Sequence, residues 1–134
     1  MIATLIYLTI QIRQIRDTVR DNNFSIQSDR AIRHSHFAAG TPGFMTVFRK
    51  GCENLDQLSD DERWIFGTYM YALFQGFQES YHLHRAGLMQ DFQWEQMRNS
   101  TVVYLRRPRG RRWWESGRDM LDGSFVAYID EALS

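Results

Sequence analysis

From Leu5 the apolar residues step by three and four through Leu8, Ile12, Ile15, Val19 and, across a polar Asn22, Ile26. That spacing is a heptad seam, and it predicts an α-helix. No glycine or proline interrupts the chain before Gly40, so the helix is expected to run from about residue 2 to about 38, ending at Gly40-Thr41-Pro42-Gly43. Packing into the protein's own core is the most economical use of the seam. A coiled-coil partner or a lipid-facing stem is the alternative for its first third, where Ile2, Ile6, Tyr7 and Ile10 add apolar residues off the seam.

Beyond the turn, Phe44, Val47 and Phe48 mark one side of a short helix from Phe44 to Lys50, followed by Gly51 and a polar loop. Ser59-Asp60-Asp61-Glu62 has the form of a capping box, which opens a helix by exchanging side-chain bonds with the first amides. The helix it opens, residues 63 to 86, carries apolar residues from Trp64 to Tyr81 over more than half its circumference and is read as the central helix. Gly67 and Gly76 inside it suggest close approach by neighbouring helices. Asp91 is the expected cap of a fourth helix through Phe92, Trp94, Met97 and Leu105, although Thr101-Val102-Val103-Tyr104 alone would pass for a strand. Pro108 opens a fifth helix with Trp113, Trp114 and Met120, and Ser124 caps a last one. The expectation is one all-α domain over residues 1–134: a bundle with long first and central helices and shorter C-terminal ones.

A hydrophobic content of 43% with nine Phe, six Tyr and four Trp gives 134 residues ample material for one core. Sixteen basic and sixteen acidic residues cancel, which removes any global pull toward nucleic acid or an anionic surface. Cys52 is the only cysteine, so an intramolecular disulfide and a multi-cysteine zinc site are excluded. Residues 1–12 are apolar yet short of the roughly 20 residues that span a bilayer. Arg13, Arg16 and Arg20 follow them, the order expected at the cytoplasmic flank of a membrane anchor, and residues 1–12 are read as a remnant of such a helix.

Chemistry is sparsely signalled. Glu79-Ser80-Tyr81-His82 matches the Glu-x-x-His of di-iron bundles, but it occurs once where such a site needs two. His34 would join Glu79 or His82 if the first and third helices pack antiparallel, making a polar network or a mononuclear metal site; Glu79, His82 and His34 are therefore the weak metal candidates. The pairs His34/His36 and His82/His84 cannot each chelate one ion from a helix, because residues two apart point about 200° apart. No catalytic residue and no cofactor is assigned. The sharpest local feature is Arg106, Arg107, Arg109, Arg111 and Arg112 followed by Trp113 and Trp114, a candidate contact for a partner or an anionic ligand. Phosphates with stacked bases, or lipid headgroups with indoles at the interface, would suit it. The competing reading pairs the arginines with residues 53–62 or 119–131 and places both indoles in the core.

Ile2 to Leu8 running into Gln11-Ile12-Arg13-Gln14, then Phe77-Gln78-Glu79-Ser80-Tyr81, then Gly110-Arg111-Arg112-Trp113-Trp114, resemble a family of uncharacterised bacterial proteins. The resemblance implies that the apolar start is the latter half of a transmembrane helix, with Met1 standing inside it, and that a cytoplasmic helical bundle follows. It brings no activity and no catalytic residue. The functional expectation is a non-enzymatic, membrane-associated bundle, cytoplasmic at the inner face of the membrane, contacting lipid or a membrane protein and able to form a homo-oligomer through its first helix. The alternatives are a small-ligand or metal site, or an enzyme, around Glu79 and His82, and, less favoured, nucleic-acid binding through Arg106 to Arg112.

Overall fold

The computed structural model describes residues 1–134 and is all-α, with no strand. Its helices are α1 (Ile2–Gly40), α2 (Phe44–Glu53), α3 (Asp60–Arg85), α4 (Asp91–Arg106), α5 (Pro108–Gly117) and α6 (Gly123–Leu133), with single 3-10 turns at Leu55–Gln57 and Arg118–Met120. No helix is long and apolar enough to cross a membrane.

The bundle is assembled around α3. Phe66, Met70, Phe74 and Tyr81, spaced by four, four and seven, form its buried stripe. Each neighbour meets that stripe with an aromatic ring: Phe48 of α2 lies 6.0 Å from Phe66, Trp94 of α4 6.0 Å from Tyr81, Trp113 of α5 stacks at 4.3 Å on Phe74, and Phe125 of α6 lies 5.6 Å from Tyr81. The capping box opens α3 as predicted, with Glu62 N–H donating to Ser59 Oγ at 3.2 Å and Ser59 N–H to the Glu62 carboxylate at 3.0 Å. Pro108 stands in the first turn of α5, and the segment 101–104 is helical, because Thr101 and Val102 are buried one turn before Leu105.

Several boundaries differ from the sequence expectation for local reasons. α2 continues through Gly51 to Glu53 because Gly51 lies under the Phe66 ring, where a Cβ would overlap it. Asp91 is the first residue of α4, not its cap, and its carboxylate turns to His84 Nε2 at 3.0 Å. Asp122, not Ser124, caps α6, accepting from the amides of Ser124 and Phe125 at 3.1 Å each. Met120 falls in the 3-10 turn after α5 and is exposed. Of the two central glycines, Gly76 meets Arg30 of α1 at 3.3 Å from where its Cβ would stand, whereas Gly67 faces open space and brings no helix closer.

The largest departure concerns α1. The heptad seam is not in the core: Leu5 is 60%, Ile12 67% and Ile15 63% exposed, and every residue from 1 to 18 is exposed. Docking begins where Arg20 Nε donates to the carbonyl of Gly87 and Asn23 Nδ2 to that of Leu88, each at 2.8 Å. It continues through Gln27, the one buried residue of α1, to Arg30, which pairs with Glu79, and to His34 and Phe37 against Tyr69. As α1 ascends, its partners descend from Leu88 to Tyr69, so α1 and α3 are antiparallel. The docked stripe, Arg20, Asn23, Gln27, Arg30 and His34, is polar and lies beside the apolar seam, not on it.

Candidate functional site

The three sequence-level candidates are each taken up by separate partners. Antiparallel packing does bring His34 to α3, but against the edge of the Tyr69 ring at 5.4 Å, more than two turns from Glu79. Glu79 pairs with Arg30, and His82 Nε2 approaches Asp122 Oδ2 at 3.4 Å at the start of α6. Glu79, His82 and His34 therefore do not share a site, and nowhere do three or more His, Cys, Asp or Glu side chains gather to hold a metal ion. Cys52 is buried, its sulfur 3.8 Å from the Tyr104 hydroxyl. Burial pushes its pKa up, outweighing the Tyr104 hydrogen bond and the Arg109 charge that pull it down. Burial likewise holds the Tyr104 hydroxyl well above its ordinary value.

The arginine-tryptophan segment divides. Trp113 and Trp114 are 4% and 2% exposed, so neither indole is free to stack on a base or enter a lipid interface. Trp113 lies flat on Phe74, and Trp114 Nε1 donates to Asp130 Oδ1 at 2.7 Å. The five arginines are exposed, and most are engaged within the chain. Arg109 meets the Glu53 carboxylate at 3.5 Å, Arg112 donates to the Glu53 carbonyl, Arg106 donates to the Ala132 carbonyl at 3.3 Å, and Arg111 faces Glu115 at 3.7 Å. Arg107 alone among them has neither an ion pair nor a side-chain hydrogen bond. The segment is an α4–α5 corner packed by Gly110, where a Cβ would overlap the Tyr104 carbonyl oxygen.

Two features remain without partners. The first is the free part of α1, whose apolar residues Ile2, Leu5, Ile6, Tyr7, Leu8, Ile10, Ile12 and Ile15 are all exposed. The second went unread in the sequence, which counts Trp64 and Ile65 among the central helix's apolar residues without separating them from the rest. Both are exposed, and with Ile26, Phe37 and Tyr69 they line an open groove between α1 and α3. The signal was available in principle: the apolar positions of α3 cover more of the helix than one core can bury.

No protein-family model, curated protein or solved structure matches this chain.

Proposed function

We propose that this chain is a non-enzymatic, membrane-associated helical bundle that uses its projecting N-terminal helix to contact lipid or a membrane protein. One observation carries the proposal: residues 2–18, seventeen residues of regular helix rich in large apolar side chains, are all exposed, and their side chains bond to nothing in the rest of the chain. A contiguous exposed apolar surface of this kind marks an interaction site in a folded protein.

Residues 2–12 carry no charge, and Ile2, Leu5, Ile6, Leu8, Ile10 and Ile12 spread around most of the helix apart from the Thr4 and Gln11 side, which suits surrounding lipid better than a single narrow partner face. Arg13 and Arg16 follow immediately and are exposed, placed to meet anionic headgroups where the apolar part ends. The dispersal of Glu79, His82, His34 and Cys52 into separate structural contacts supports the non-enzymatic reading. The test is flotation of the purified chain with vesicles of mixed zwitterionic and anionic lipid. Association that Leu5→Asp with Ile12→Asp abolishes, the helical content of the bundle remaining intact, is the expected result; a chain that stays unbound refutes the proposal.

A further inference from the structure

The α1/α3 groove has a composition of its own. It encloses about 730 Å³, within the usual range for small-molecule sites. Ile26 and Phe37 from α1 face Trp64, Ile65 and Tyr69 from α3, and its basic lining residues are Arg30, Arg33 and His34, with no carboxylate in the lining. Arg30 is already paired with Glu79, whereas Arg33 has no ion pair or side-chain hydrogen bond.

A recess of about 280 Å³ adjoins the groove and shares Arg30, His34 and Tyr69 with it. Gln27 lines this recess at 5% exposure, and its Nε2 has no hydrogen-bond partner. A buried amide donor without an acceptor is costly, and an oxygen-rich headgroup would satisfy it. We infer that the α1/α3 groove binds a single-chain anionic amphiphile, its alkyl chain along Trp64, Ile65 and Phe37 and its carboxylate or phosphate headgroup at His34, which lines both spaces, with Arg33 on the groove side and the Gln27 amide on the recess side. A second copy of the chain fits less well. The apolar residues 2–12 that would cover the groove carry no side-chain charge, so nothing in them complements Arg33. The inference is independent of how the N-terminal helix is used.

Trp64 reports on the groove directly, being 77% exposed while the other three tryptophans are buried. Titrating the full chain with submicellar oleate or hexadecyl phosphate should shift Trp64 emission to the blue and protect it from acrylamide, saturating at one ligand per chain. Arg33→Glu should weaken binding at least tenfold and Gln27→Leu severalfold with unchanged circular dichroism, while Leu5→Asp with Ile12→Asp leaves the Trp64 response intact. The inference is overturned if neither anion protects Trp64, if dodecyltrimethylammonium protects it equally, or if Arg33→Glu binds as the parent does. Protection without ligand that rises with protein concentration, alongside a dimer in sedimentation, would assign the groove to a second copy instead.

Discussion

Asp130 shows how single residues hold the C-terminal half together. Its two carboxylate oxygens accept from Trp114 Nε1 at 2.7 Å and Arg118 Nη1 at 2.9 Å, so one side chain ties α5 and the following turn to α6. Trp114→Phe keeps most of the packing and removes one charge-assisted bond; a loss of about 1–3 kcal/mol is expected in urea unfolding. Gly110→Ala should cost about as much by forcing the α4–α5 corner open, since the added methyl meets backbone and not a flexible side chain. Arg107→Ala, by contrast, should change stability by less than about 0.5 kcal/mol, because its exposed side chain makes no ion pair or hydrogen bond. Two carboxyls set an acid limb. Glu62 is held below the ordinary carboxylate range chiefly by the Ser59 amide, and Asp122 chiefly by the Ser124 hydroxyl, then by the Phe125 amide. Because the unfolded chain binds these protons more readily, their contribution is complete above the ordinary carboxylate pKa and is lost as pH falls through the lowered folded values. Thermal midpoints should therefore drop on acidification, and Glu62→Gln with Asp122→Asn should flatten that drop. Cys52 should resist thiol reagents at pH 8 until denaturant is added; rapid native labelling would contradict its burial.

Among elements, α1 is two things in one helix. From Arg20 onward it is fastened by side-chain bonds to the α3–α4 turn and by aromatic contacts, whereas residues 2–18 rest on their own backbone bonds and exposed side chains. Most helical stability in a folded protein comes from tertiary packing, which this part lacks. Hydrogen exchange should accordingly show amides of residues 6–18 exchanging far faster than those of 24–38 in the isolated chain, with a step near Arg20; uniform protection would contradict the division. The same helix marks the limit of what the sequence made legible. Local chemistry was readable where it is local: the Ser59 and Glu62 exchange, the proline at the start of α5, the helical period of α3. The Leu5-to-Ile26 seam stated that a face needs covering, but not what covers it, and the face that does dock is made of Arg20, Asn23, Gln27 and Arg30, which no hydrophobic pattern selects. For the same reason the partners of Glu79 and His82 lay beyond reach: Arg30 and Asp122 are 49 and 40 residues away in sequence. Trp113 and Trp114 could be read either as a platform or as core, and only the position of Phe74 beneath Trp113 and Asp130 beside Trp114 decides for the core.

At the scale of the whole molecule, a bundle built on α3 carries a helical projection of seventeen residues, 2–18, roughly 26 Å at 1.5 Å per residue. The bundle satisfies its own apolar surface around Phe74, Phe125 and Trp114, while the projection and the groove beside Trp64 leave theirs to something outside the chain. The proposed membrane role of the projection predicts that it holds the molecule at lipid in the cell through apolar contact more than through charge. The deciding measurement is fractionation of the native product in its own host, with membranes washed first in high salt and then in detergent. Release by detergent and not by salt is the predicted result; recovery of the protein wholly in the soluble fraction would contradict the account.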